Sequence, residues 1–502
     1  THTTARDRSP ITVSLSDPNW AARLAVVLAG LLAFRIVALA LNRTDLFFDE
    51  SQYWSWSLEP AFGYYSKPPL VAWIVAAATA VCGDSEFCIR LPSPILHTLT
   101  AVLLYPIGRR LYSQQVGFWS AVAYATLPAV SLSAGIISTD VPLLSAWALA
   151  LLFFALWIER PSWGRALVLG TALGLGLNAK YAMLLFVPCA VLYFILVPER
   201  RDRLRDPSLW GAFLVGLLAI APNLWWNLQN GLATFAHTAD NAKWTGRLFR
   251  PEKAAEFFLA QFGVMGPVLF AAFLAFLWRT RRHIAALAES DRLLVAFSTP
   301  IVLLFTLQGF ISRAHANWAA TAYVAATVLV VAVLIRAGDW RWIKASFALH
   351  LAVALLIAFG TWRAGTIRLP GVGDPFARTL GWRQLADTVR QTVLQTRERP
   401  FAAIVVDERA TMAALLYYFQ DRTIPVYAWR STPKPRHHYE LTRSYDAKAG
   451  EPALLVSLDA AAAVPIVRAF ARSEALAVRN VPAGQFANRE VHLFAVSGYQ
   501  GK

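Results

Sequence analysis

Long apolar stretches constrain this chain more than any other feature. Residues 20–41, 115–137, 141–158, 181–197, 208–228, 257–278, 293–311, 317–335 and 343–362 are each predominantly apolar. Most approach the roughly 20 residues a helix needs to cross a bilayer. Residues 91–108 and 164–179, broken by Pro or Gly, are weaker candidates of the same kind. Together they predict about eleven spans. A soluble chain carries about a quarter charged residues; here the share is 16%.

The net charge of +16 raises nucleic acid as a partner, and the distribution of that charge excludes it. The basic residues cluster between apolar spans: Arg109-Arg110, Arg160/Arg165, Arg200-Arg201/Arg203/Arg205, Arg279/Arg281-Arg282 and Arg336/Arg341/Lys344. They fall in every second loop, where membrane topology accounts for them. With the N-terminus (Arg6, Arg8, Arg23) on the same side, these clusters are expected in the cytoplasm. Loops 42–90, 136–140, 178–181, 229–256 and 310–316, and the tail, are then expected outside. Residues 20–41 lack a small-residue cleavage site and read as an uncleaved first helix. The expected organisation is a cytoplasmic segment 1–19, a membrane domain 20–362, a Gly/Pro-rich linker 363–375 and a soluble α/β domain 376–502.

Cys189 falls inside a span and reads as packing. Cys82 and Cys88 fall on the expected outer side, where disulfides persist; their spacing permits a bond or two separate thiols. The first outer loop, 42–90, holds carboxylates, dense aromatics and an apolar run from Leu70 to Val81 that is too short to span. That run reads as an interfacial helix, with Trp54, Trp56, Tyr64, Tyr65 and Trp73 at headgroup depth. The loop 229–256 carries His237, Asp240, Lys243, Trp244, Arg247 and Arg250, a polar and basic set suited to anionic headgroups or substrate. In the tail, helices are expected at 380–397 and around 409–420. Strands are expected at Phe401–Val406, Ile424–Ala428, Ala453–Leu458 and Val491–Ala495. His437-His438 reads as a solvated loop rather than a metal site.

The outer loops also hold the residues suited to chemistry. Asp49-Glu50 follows the first span, where carboxylates are costly without a purpose; the alternative is Asp49 as a helix N-cap. Lys67 precedes Pro68-Pro69, at the start of a helix whose dipole disfavours a cation unless an anion binds there; the alternative is a snorkelling side chain. Asp140, Lys180, and Arg313 with His315 lie in three further outer turns. Fixed cations suit a lipid-phosphate leaving group, and a carboxylate suits deprotonation of an acceptor hydroxyl. One base with direct displacement gives inversion, whereas double displacement needs two carboxylates about 5 Å apart.

The series Asp49-Glu50, Tyr64-Tyr65-Ser66-Lys67-Pro68-Pro69-Leu70, Trp73, Gly83 and Arg90-Leu91-Pro92-Ser93 resembles the bacterial membrane glycosyltransferases of the GT-C superfamily. The likeness is to the protein-mannosyltransferase-like group that includes the lipid A aminoarabinose transferase. It is good over roughly residues 40–200, looser to about 362 and weak in the tail. The resemblance implies a bundle of about eleven to thirteen helices with a periplasmic C-terminal domain. It implies Asp49 as catalytic base or acceptor-positioning carboxylate and Asp140 as the second acidic residue. Lys67 and Lys180 match lysines that hold the carrier phosphate, and Arg313 is the substitute for a late-loop lysine. Glu50, Tyr64, Tyr65, Arg90 and His315 are expected in support. The implied donor is a polyprenyl-phosphate monosaccharide, a substrate rather than a cofactor. Ser66 stands where the aminoarabinose transferase has Glu, so a metal site built on that residue is not expected, and a divalent cation is left open. The expected acceptor is lipid A or lipopolysaccharide, then a protein hydroxyl, then a growing polysaccharide, with the chain a monomer in a bacterial inner membrane. A transporter or flippase for a lipid-linked substrate is the competing class; the hydropathy shows no paired halves.

Overall fold

The computed structural model describes residues 19–242, 249–396, 400–419, 421, 423–446 and 448–501. Residues 1–18, with Arg6 and Arg8, and the stretch containing Lys243, Trp244 and Arg247 lie outside them. The described chain is mainly helical, with a small C-terminal sheet domain.

Helix α1 (Trp20–Ala40) is followed by α2 (Phe48–Ser57), α3 (Leu70–Cys82) and α4 (Glu86–Arg90), all three within the loop 42–90. Next come α5 (Pro92–Leu111), α6 (Gln114–Thr126), α7 (Pro128–Ser133), α8 (Asp140–Glu159), α9 (Trp163–Ala179), α10 (Phe186–Leu196) and α11 (Pro207–Gln229). Then follow α12 (Ala233–Ala242), α13 (Pro251–Met265), α14 (Pro267–Thr280), α15 (Glu289–Ala296), α16 (Thr299–Ile311), α17 (Ala322–Arg336) and α18 (Trp340–Trp362).

Every apolar stretch read from the sequence is helical, yet not every one is a single straight helix. By length and composition six are able to cross a membrane, or seven if one bent pair counts as a span. Residues 115–137 break between α6 and α7, because Pro128 has no N–H to continue the ladder. Residues 257–278 bend by 117° between α13 and α14. Gly266 makes that bend, with φ +89°, a backbone state that favours glycine. Tyr181–Leu196 and Ala322–Arg336 are shorter apolar helices. The count of eleven is therefore a count of apolar segments.

Packing places the helix ends that matter. Helix α8 lies at the centre, with 83% of its apolar window buried. Helix α9 meets α11 through Gly170 and Gly174, where a Cβ would come within 2.4 Å of Ala212 O and of Ala219 Cβ. Small residues four apart allow this close approach of backbones. Lys180, which follows the end of α9, reaches Asp140 at the start of α8.

In the first outer loop Trp54, Trp56, Tyr64 and Tyr65 are buried rather than spread at a headgroup surface. Trp54, Trp56 and Tyr64 form a small core with Tyr53, Val71, Val75 and Ile89. Trp56 stacks on Tyr64 at 4.5 Å between ring centroids. Forty-odd residues between spans bury their aromatics on one another because three short helices give them a surface to cover. Cys82 and Cys88 are bonded in this loop, and Cys189 is buried and free.

The tail adds α19 (Trp382–Gln395), β1 (Ala403–Val406), α20 (Arg409–Tyr418), β2 (Val426–Ala428), α21 (His438–Thr442), β3 (Ala453–Ser457), α22 (Ala460–Val467), β4 (Phe470–Pro482) and β5 (Asn488–Tyr499). The sheet order is β2-β1-β3-β5-β4. Strand β1 runs parallel to β2 and β3, while β5 is antiparallel to β3 and β4. Ile404, Val406, Leu454 and Val456 face Met412 and Leu415 on one side. Ala403, Val405 and Leu455 face Ala463 and Ile466 on the other. The 13-residue β4 is absent from the sequence-based reading: it is an edge strand, largely exposed, so burial imprints no apolar pattern on it.

Candidate active site

Asp49 and Glu50 are neighbours in the first turn of α2 with different surroundings. Glu50 is fully buried. Its Oε1 accepts from Arg90 Nε (2.9 Å) and Ile137 N (3.1 Å), and its Oε2 from Arg90 Nη2 (2.8 Å) and Phe47 N (2.9 Å). Arg90 also donates to the carbonyls of Thr44 and Asp45. Glu50 caps α2 and, with Arg90, ties the loop to α4 and to the segment before α8. The capping role weighed for Asp49 therefore belongs to Glu50. Asp49 keeps an exposed edge, its side chain 36% accessible, and meets Arg409 Nη1 at 3.1 Å.

Arg409 opens α20 in the C-terminal domain. It also reaches Gln52 Oε1 at 3.3 Å and lies over the Phe48 ring at 4.7 Å. Nothing in the sequence singles it out, beyond its place just after a strand. Three further bonds dock the domain on the first outer loop. Tyr418 OH accepts from Leu46 N, Asp45 Oδ2 accepts from Trp382 N, and Ser55 Oγ meets Tyr439 OH.

The second carboxylate stands at the start of α8. Asp140 Oδ1 takes Lys180 Nζ at 2.7 Å, and Oδ2 takes Asn317 Nδ2 at 2.7 Å. Three separate helix ends thus meet on one carboxylate. The buried Tyr53, one turn after Asp49, feels the charges of Asp49, Asp140, Glu50 and Arg409; burial, then Asp49, pushes its phenol well up. Both carboxylates therefore lie within electrostatic reach of the same phenol.

Lys67 lies within electrostatic reach of both carboxylates. Among the described residues its ammonium forms no ion pair, and burial followed by nearby Lys180 pushes its pKa down, against the pull of Asp49 and Asp140. Arg313 Nε is buried without a hydrogen-bond partner among the described residues. His315 is pushed down by burial, then by Arg313, Lys180 and Lys67. Lys67, Lys180, Arg313 and His315 thus form one basic cluster. His237, on α12 above the Lys67 loop, is held near 4 by burial and then by Lys67 and Arg409.

Tyr64 and Tyr65 spend their hydroxyls on backbone carbonyls: Tyr64 on Trp56 O (2.9 Å) and Tyr65 on Pro435 O (2.8 Å). They hold the loop and its contact with the C-terminal domain. His437-His438 is not a solvated loop. His437 caps α21, and His438 packs against Trp56 and Tyr64. Burial holds the two imidazoles near 4 and 3 respectively. Among the described residues no three of His, Cys, Asp and Glu gather as metal ligands.

A site with fixed cations beside an accessible carboxylate is able to stabilise a leaving phosphate while deprotonating a nucleophile. Comparisons with known proteins point the same way. Residues 66–226 match the family described as dolichyl-phosphate-mannose-protein mannosyltransferase. The chain is 37% identical to the lipid A galacturonosyltransferase RgtD of Rhizobium johnstonii, over 83% of this chain and 86% of that protein. It is 34% identical to the undecaprenyl phosphate-alpha-4-amino-4-deoxy-L-arabinose arabinosyl transferase 1 of Pseudomonas fluorescens, over 33% of this chain and 30% of that protein. In fold it is similar to ArnT from Cupriavidus metallidurans bound to undecaprenyl phosphate, with TM-score 0.64 at 14% identity, covering 95% of this chain and 98% of the other.

Proposed function

This chain belongs to the GT-C membrane glycosyltransferases related to ArnT, and from that premise we propose that it moves a monosaccharide from a polyprenyl-phosphate carrier to lipid A or the lipopolysaccharide core at the periplasmic face. The sugar we assign is a hexuronic acid, on the likeness to a lipid A galacturonosyltransferase.

The reading is carried by Lys67, an ammonium held among Asp49, Asp140 and Lys180 with no ion-pair partner among the described residues. An unpaired, partly buried cation is costly, and a lipid phosphate would pair it. In the proposed step the acceptor oxygen attacks the anomeric carbon and its proton passes to Asp49. The bond from that carbon to the phosphate oxygen breaks, and the electron pair leaves with the polyprenyl phosphate. Lys67, Arg313 and His315 face the charge gathering on that phosphate.

Asp49 suits the base role better than Asp140. Asp49 is held by one cation and keeps an accessible edge, whereas both Asp140 oxygens are occupied. Asp140 then positions Lys180, and Lys180 reaches the phosphate as one half of an ion pair. One base with direct displacement gives inversion.

The test is transfer in proteoliposomes from a defined polyprenyl-phosphate sugar to lipid A, read by mass spectrometry of the product. Asp49→Asn should abolish turnover while donor binding stays. A variant that keeps wild-type turnover removes Asp49 from the chemistry. Wild-type enzyme that leaves lipid A and core unmodified with any uronic-acid donor overturns the substrate assignment.

A further inference from the structure

Arg35 is a cation inside an apolar helix that forms no ion pair among the described residues. It lies on α1 six residues before the C-cap Leu41, about 9 Å into the apolar segment at 1.5 Å per residue. Only 8% of it is exposed. An ionisable group at such depth is costly and marks function. Its Nη2 donates to Ala125 O, a carbonyl at the break between α6 and α7. Its Nη1 is buried and has no hydrogen-bond partner among the described residues.

Arg35 lines a cavity of about 250 Å³ between α1, α7 and α18. Leu31, Phe34, Leu351 and Leu355 form apolar walls, and Glu50 and Arg90 also line it. Asp49 directly precedes Glu50 in the chain. Helices α1 and α18 are the least buried of the long apolar helices, at 22% each, so the groove between them opens towards the bilayer. The basic cluster belongs to other elements: the loop before α3, the end of α9 and the turn after α16.

We infer that this groove takes an acyl chain of the acceptor lipid, with the Arg35 guanidinium, which lines the groove, facing the ester or amide carbonyl that joins the chain to its sugar head. This rests on the transferase reading above. The occupant must be apolar along most of its length, offer an acceptor atom at the depth of Arg35, and present its reacting group beside Asp49. A polyprenyl phosphate fails the second condition, because below its phosphate the chain is unbroken hydrocarbon. An acylated sugar meets all three, since its carbonyl linkages lie just beneath the polar head. Polar groups buried in hydrocarbon favour a hydrogen-bond partner over none.

The test uses the full-length enzyme in phosphatidylcholine vesicles with a polyprenyl-phosphate sugar and lipid A. Arg35→Leu removes the donor group. Ala354→Trp, on α18, fills the groove and leaves the Ala125 carbonyl capped, so it serves where the first variant fails to fold. Both are expected to raise the lipid A KM at least 10-fold with the donor KM unchanged. Lipid A bearing a photoreactive acyl chain should label Leu351 or Leu355 in the wild type and not in Ala354→Trp. An unchanged lipid A KM in both variants overturns the inference, as does a donor KM rising in step. Labelling of the groove by the vesicle lipid that excess lipid A does not reduce also overturns it. A wild-type enzyme that transfers no sugar to lipid A sinks the transferase reading instead.

Discussion

Two acidic neighbours, Asp49 and Glu50, show how one short run serves two ends. Glu50 faces inward and accepts four hydrogen bonds, two of them from Arg90, with almost no solvent on either partner. Asp49 keeps an accessible edge and, among the described residues, meets Arg409 alone within ion-pairing distance. The difference teaches that burial with full satisfaction makes a post, while partial exposure with a single partner leaves a group free to take a proton. Charge type alone does not separate them.

That contrast can be broken by substitution, and the effects should fall in order. Asp49→Asn is expected to cost about 10²–10⁴ in kcat, the usual worth of a general base, with donor affinity intact in a binding titration. Equal losses in kcat and donor affinity would make Asp49 a binding residue. Glu50→Ala should act on the fold instead, leaving Arg90 buried and uncompensated at about 3–5 kcal/mol. Detergent melting curves measure this, and a normal melt with lost activity would reverse the assignment of the pair.

Lys67→Met should weaken donor binding by about 10–100-fold, the worth of a charge-assisted hydrogen bond, and leave the melt near wild type. Its pH behaviour sharpens the point. Lys67 is charged below its pKa, and burial together with Lys180 holds that pKa below the ordinary lysine value. The donor kcat/KM should therefore fall as pH rises through this lowered value, and Lys67→Arg should move the fall to higher pH.

The smallest effects belong to the domain contact. Tyr65→Phe removes one hydrogen bond to Pro435 O and should cost about 0.5–1.5 kcal/mol. Acid should loosen the same contact. His438 stays neutral when folded, near 3, against about 6.5 when unfolded. Between these values the unfolded chain binds more protons, so stability is full above about 6.5 and declines as pH falls. A His438→Gln variant should flatten that part of the stability profile.

Much of the fold was legible because a bilayer imposes a simple rule: backbone polar groups must be satisfied internally, so apolar runs become helices. The breaks at Pro128 and Gly266 were less legible. Pro tolerates several helical contexts, and the 117° bend depends on what the neighbouring helices leave room for. The site residues were legible as types in outer turns, since Asp49, Lys67, Asp140 and Lys180 are charges placed where charge is scarce. Their partners were not. Asn317 and Arg409 are ordinary polar residues until the turn before α17 and the C-terminal domain bring them to Asp140 and Asp49. The aromatics of the first outer loop misled for the same reason, because a Trp at an interface and a Trp in a small core look alike in sequence.

The sequence by itself determined the helical membrane body, the α/β tail and the set of charges in the turns between apolar segments, because hydropathy and charge act locally and leave their pattern in the chain. Which carboxylate is locked and which is open, which lysine lacks a partner, and that an arginine from the tail reaches Asp49 were decided only in three dimensions. Ion pairing falls off within a few ångströms, and that proximity is set by how distant helices and the tail pack together.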